Sequence, residues 1–167
     1  MELFKVITGS KIAYNPDLKK VLLLPLNEIK ESTIEIIKKQ LYEEFKIETE
    51  VLDTEIESKR AIDGGFINTA YLSRELERKI SYNKSIAIMG ISKYWLSPTG
   101  LLLSRIIHTF SPIIGLTYLE SGICVLTTLK GKIPKHLLKF AIIHEVGHLL
   151  GKHGYPLRWL KEHRKEG

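Results

Sequence analysis

"IPKHLLKFAIIHEVGHLLGKHG" (Ile133–Gly154) decides the reading of this sequence. The stretch predicts a helix. Pro134 falls near its first turn, where a missing N–H has no cost. Gly151 follows its last regular residue, where a helix stops because glycine tolerates a left-handed backbone. On that helix His144 and His148 stand four residues apart. Four residues are about 400° of rotation, so both imidazoles leave one face, one turn apart. A zinc ion about 2.0–2.1 Å from each nitrogen can bridge that gap. Glu145, beside the first histidine, cannot easily bind the metal as well, but it can reach a water held there. Past Gly151 the chain can turn sharply and bring His153 to the same ion. Three protein nitrogens leave a fourth position open, which separates a catalytic zinc site from a structural one. In a chain of this composition the whole spacing arises by chance in about one sequence in 20,000.

Outward from the helix, "IIGLTYLE" and "GICVLTTL" predict two strands around a Glu120–Gly122 turn, a possible hairpin. "SIAIMGIS" (85–92) is the most buried-looking strand, and "KKVLLLPL" is a continuous apolar run stopped by Pro25. "NEIKESTIEIIKKQLYEEF" predicts a helix capped by Asn27, with Ile29, Ile34, Ile37, Leu41 and Phe45 as its apolar stripe. "IETEVLDTEI" alternates as a half-exposed strand does, "AIDGG" reads as a loop or turn and "LSPTG" as a turn. "INTAYLSRELERKI" predicts a second helix with Leu72, Leu76 and Ile80 on one face. "LFKVITG" reads as a short strand, and "LLLSRIIHTF" suits strand or helix. This order predicts an α/β (α+β) fold, a mixed twisted sheet carrying three main helices. The 167 residues are expected to form a single domain, 1–167.

Composition narrows the function classes. Lys and Arg number 25 against 19 Asp and Glu, a net charge of +6, but the basic residues are scattered rather than striped along one element. No aromatic–basic interleaving of the RNP type occurs, so nucleic acid is not an expected partner. The single cysteine, Cys124, excludes a disulfide framework and any cysteine-based zinc cluster. Inside "GICVL" it reads as a small core residue. The N-terminus has no secretory pattern. The longest apolar run is broken by Ser104, Arg105, His108 and Pro112, so no membrane span is expected. A cytoplasmic, reducing compartment is the default expectation. His108 reads as a core or cleft histidine, His136 as a solvated first-turn residue and His163 as tail surface. Tyr155 reads as a packing residue, with oxyanion stabilisation as the alternative.

"HEVGHLLGKHG" matches the metzincin signature HExxHxxGxxH, and the chain from about residue 20 to 154 resembles the archaemetzincins. "LLLPLNEIKESTIEIIKKQLYEEF" resembles their opening strand and helix, and "AIDGGFINTAYLSRELE" the segment leading into their second helix. "SIAIMGISKYWL" resembles their central strand, and "IIGLTYLESGICVLTTL" the strands before the active-site helix. The resemblance implies a zincin-type upper subdomain in which His144, His148 and His153 bind a catalytic zinc and Glu145 is the general base. It implies a metallopeptidase acting on peptides or proteins. The sequence also departs from that family. Gly154 stands where a cysteine follows the third histidine, no cysteine comes later, and the only methionines, Met1 and Met89, precede the motif. One catalytic zinc is therefore expected, with no second structural zinc, no Met-turn and a truncated lower subdomain after 154. The alternative is a zinc-binding module that holds peptides or a partner with little or no proteolysis. A zinc amidase would use the same constellation. Oligomeric state is left open.

Overall fold

A computed structural model describes residues 14–53, 62–63, 65–79, 85–97 and 114–151. In chain order they form β1 (Lys20–Pro25), α1 (Glu31–Phe45), β2 (Glu48–Val51), β3 (Ile62–Asp63), β4 (Phe66–Asn68) and α2 (Thr69–Lys79). Then come β5 (Ile86–Ser92), β6 (Trp95–Ser97), β7 (Gly115–Tyr118), β8 (Ile123–Thr127) and α3 (Lys135–Leu149). The main sheet has the order β2-β1-β5-β8-β7, and β3-β4-β6 form a smaller one. β2, β1, β5 and β8 pair in parallel, while β7 runs antiparallel to β8. Parallel neighbours need a crossover, which α1 supplies between β1 and β2.

The apolar runs of β1, β5 and β8 are unbroken because both faces of the sheet are covered. Val21, Leu23, Met89, Cys124 and Leu126 point to the side of α1 and α3. Leu24, Ile88, Ile123 and Val125 point to the other side, against Leu72 and Leu76 of α2 and the small sheet's Ile67 and Leu96. The period of two along each strand thus divides two cores. Leu23 is fully buried in the first. Leu23→Ala is expected to cost about 2–5 kcal/mol, read as a lower urea midpoint at unchanged slope.

Most elements lie where the sequence places them, including the mixed sheet and three helices, the 115–127 hairpin and the α1 stripe of Ile34, Ile37, Leu41 and Phe45, while Ile29 packs on the same core from just before the helix. Three details differ. Asn27 does not cap α1. The helix begins at Glu31 with Lys30 at its cap position and no side-chain cap bond. Asn27 sits beyond β1 next to the end of β5, and its Oδ1 accepts a hydrogen bond from Lys93 N at 2.7 Å. "AIDGG" is not merely a turn: Ile62 pairs with Ile67 and Asp63 with Phe66, and Gly65 turns the chain at φ 83°. "LSPTG" begins inside β6, where Leu96 and Ser97 pair with Ile67 and Asn68. Strands of two and three residues are too short to show a period. "LFKVITG", "LLLSRIIHTF" and Ile80 lie outside the described residues. Among the described residues no helix is long and apolar enough to cross a membrane.

Candidate metal centre

α3 owes its place to its ends and its apolar content. Pro134 takes the cap position, next to the first turn, and its carbonyl accepts hydrogen bonds from Leu137 N and Leu138 N, each at 3.0 Å. At the other end Gly151 has φ 71°, and its N–H donates to His148 O at 3.1 Å. The helix therefore stops within a turn of His148, as the glycine predicts. Leu138, Ala141, Ile142, Val146 and Leu149 bury it against the sheet and α1.

His144 and His148 are half-buried and meet one turn apart. Their Nε2 atoms are 2.9 Å apart, and the rings stand at 90° with centroids 4.5 Å apart. Phe140 stacks on the far side of His144, centroid to centroid 5.8 Å at 28°. Two imidazole nitrogens bound tetrahedrally to one zinc sit about 3.3 Å apart. The pair is within a few tenths of an ångström of that spacing, so its donors suit the ion. His153 lies outside the described residues, as do His108, Tyr155 and His163. Among the described residues no three His, Cys, Asp or Glu side chains gather as a metal-binding group. His136 is exposed, as the sequence suggests.

Glu145 leaves the helix toward the underside of edge strand β7. Its residue is only 5% exposed. Gly115 and Thr117 are two apart on β7 and so share the face turned to α3. Cys124 pairs opposite Thr117. The Thr117 hydroxyl donates to the Glu145 carboxylate and lies 3.3 Å from the Glu145 backbone oxygen. Gly115 leaves the space the carboxylate occupies. A Cβ there would stand 2.5 Å from Oε1, 2.6 Å from Cγ and 2.7 Å from Cδ of Glu145. Burial pushes the Glu145 carboxyl up to about 7, against the Thr117 hydrogen bond, which lowers it. Burial, with the Glu145 charge adding to it, pushes the Cys124 thiol well above its ordinary value. Cys124 is the inert core residue the sequence suggests.

The raised carboxyl makes the metal-free protein sensitive to pH. Between about pH 4.5 and 7 the unfolded chain has lost the Glu145 proton while the folded chain keeps it. Stability conferred below that window is lost as pH rises through it, about 3 kcal/mol in all, because each pKa unit is about 1.4 kcal/mol. Urea unfolding of metal-free protein at pH 5 and pH 8 should show this loss. Glu145→Gln should remove most of it, and an unchanged pH dependence in that variant would contradict the assignment.

Gly115 and Thr117 carry no sequence signal of chemistry. Only the period-two face of "GLTY", once laid against the helix, picks them out.

No family model matches this sequence, and no curated protein matches it. Among solved structures it is similar to archaemetzincin from Archaeoglobus fulgidus, crystallised with malonate. That match has 19% identity and a TM-score of 0.56, and it covers 79% of this chain and 78% of that one. It is also similar to archaemetzincin from Methanopyrus kandleri at 16% identity and a TM-score of 0.55, over 81% of this chain and 74% of that one. The fold is archaemetzincin-like.

Proposed function

We propose that this protein is a zinc-dependent metallopeptidase that hydrolyses peptide bonds, with His144, His148 and His153 holding one zinc and Glu145 acting as general base. The observation that carries the reading is the approach of the two Nε2 atoms to 2.9 Å with a buried carboxyl next in sequence to the first histidine. The archaemetzincin-like fold around them supports it. When bound, zinc supplies Lewis acidity toward the scissile carbonyl and the attacking water. Glu145 accepts a proton from that water as its oxygen bonds to the carbonyl carbon. It then delivers a proton to the amine nitrogen as the C–N bond breaks. Thr117 orients the carboxylate for both transfers. β7 is an edge of the main sheet, with β8 on one side, and its other edge receives an extended peptide through backbone hydrogen bonds. With Cys124 buried in the core and no other cysteine in the sequence, one zinc per chain is expected.

Metal analysis tests the ligand set. Wild type should bind one zinc per chain, and His153→Ala should bind it at least about a hundredfold more weakly. Zinc retained at full affinity by that variant would remove His153 from the site.

A further inference from the structure

The carboxyl ends of the parallel strands β1, β5 and β8 lie side by side at one end of the main sheet. In open parallel sheets the crevice outside such ends is a ligand-binding place. Here it is a cavity of about 510 Å³. Lys30 follows β1, Lys93 follows β5 and Lys130 follows β8, and all three line it, with Thr33, Thr128 and Tyr94. His144, Glu145 and His148 do not. The sequence positions of these lysines are far apart, and only the topology gathers them.

The backbone holds this gathering in place. Lys93 N donates to Asn27 Oδ1 at 2.7 Å, Thr128 N to Ser92 O at 2.8 Å and Lys130 N to Lys93 O at 3.1 Å. The three strand ends are thereby tied to one another. Leu129 and Lys130 adopt φ of 45° and 57°, left-handed conformations that residues with a Cβ disfavour. Such strain persists where the surroundings over-determine it, and it concentrates at ligand sites. Among the described residues Lys30, Lys93 and Lys130 form no ion pair. Glu28 also lines the cavity, so three lysines stand against one glutamate in its lining, an excess of two positive charges, and Lys93 Nζ lies 5.6 Å from the centroid of the Tyr94 ring. An adjoining cavity of about 350 Å³ shares Lys93, Tyr94 and Lys130 and adds the aromatic walls of Phe66 and Trp95.

We propose that this crevice binds a phosphorylated small molecule bearing an aromatic ring, with its phosphoryl groups against Lys30, Lys93 and Lys130 and its ring against Tyr94 and Trp95. A dianionic phosphoryl group matches the excess charge. Ammonium and hydroxyl donors give it charge-assisted hydrogen bonds. The aromatic walls supply stacking surface for the ring.

Amide NMR spectra of the full chain without metal, titrated separately with inorganic pyrophosphate and with ADP, test this independently of peptidase activity. Saturable shifts are expected at Lys93, Lys130 and Gly131, with His144, Glu145 and His148 unmoved. Lys93→Gln, at a half-buried position, and Lys130→Gln, at an exposed one, should each weaken binding about tenfold. ADP should bind about tenfold more tightly than pyrophosphate, and Tyr94→Ala should remove that advantage. Shifts that never saturate, binding indifferent to both lysine substitutions, or shifts centred on His144 and His148 would overturn the proposal. Equal affinities for ADP and pyrophosphate would overturn its aromatic part.

Discussion

Glu145→Gln is expected to lower kcat for peptide hydrolysis about a thousandfold while zinc stoichiometry and KM stay as in wild type. The glutamine amide has the shape of the carboxyl group, so its oxygen can still accept the Thr117 hydroxyl and fill the space beside Gly115. It cannot take a proton from water or return one to an amine. A thousandfold loss is about 4 kcal/mol of barrier, the middle of the range for one acid–base group. Because the substitution removes a buried ionisable group without changing its volume, a folding defect is not expected to confuse the result. The measurement is kcat on a quenched fluorescent peptide with zinc-loaded enzyme. Activity within about threefold of wild type would assign proton transfer to another group.

Gly115→Ala should act on the same carboxylate from outside. Its methyl group would meet three Glu145 side-chain atoms at 2.5–2.7 Å, well inside contact distance. The strand has little freedom to retreat. Thr117 is bonded to Glu145 on one face, and on the other the Tyr118 hydroxyl lies 2.6 Å from Thr69 Oγ1, a hydrogen bond to α2. The glutamate must therefore rotate away or the core must open. A displacement of about 1 Å at a reacting group costs about a hundredfold in rate. Overpacking in a filled core costs about 1–3 kcal/mol. The expected variant is folded, less stable in urea, able to bind zinc through its unaltered histidines, and about a hundredfold slower. Wild-type activity and stability together would show that the carboxylate acts from some other position.

Much of this was legible in the sequence, and the reason is the range over which each signal acts. Unbroken apolar runs such as "VLLL" and "IAIMGI" mark strands covered on both faces, and both form the centre of the main sheet. The meeting of His144 with His148 is a local consequence of helical pitch. Gly151 stops the helix by a left-handed conformation that glycine adopts without steric cost. Contacts made across the fold left no such trace. Asn27 has the residue type of a helix cap, yet the neighbouring end of β5 takes its side chain. The β3–β4 hairpin is held by pairs too few to show alternation. Gly115 and Thr117 look like ordinary strand residues until β7 is laid over α3. The lysines at 30, 93 and 130 read as scattered surface charge because parallel strand order, which gathers them, is not a local property.

The edge strand, its partner β8 and the helix bearing His144 follow one another from Gly115 to Leu149, with only a 3-10 turn at Leu129–Gly131 between β8 and the helix. Their contacts join residues close along the chain, as Thr117 and Glu145 are, 28 apart. Within the parallel ladder the β1–β5 pairing stands apart: Lys20 must find Ile86, whereas Lys20 and Glu48 lie no farther apart along the chain than Thr117 and Glu145. Closing longer loops costs more entropy and slows folding. The rate-limiting search should therefore belong to the β1–β5 pairing, with the segment from β7 to α3 assembling through shorter closures. A core substitution in β1 would then tax the folding rate more than one in β7, even where the two cost equal stability.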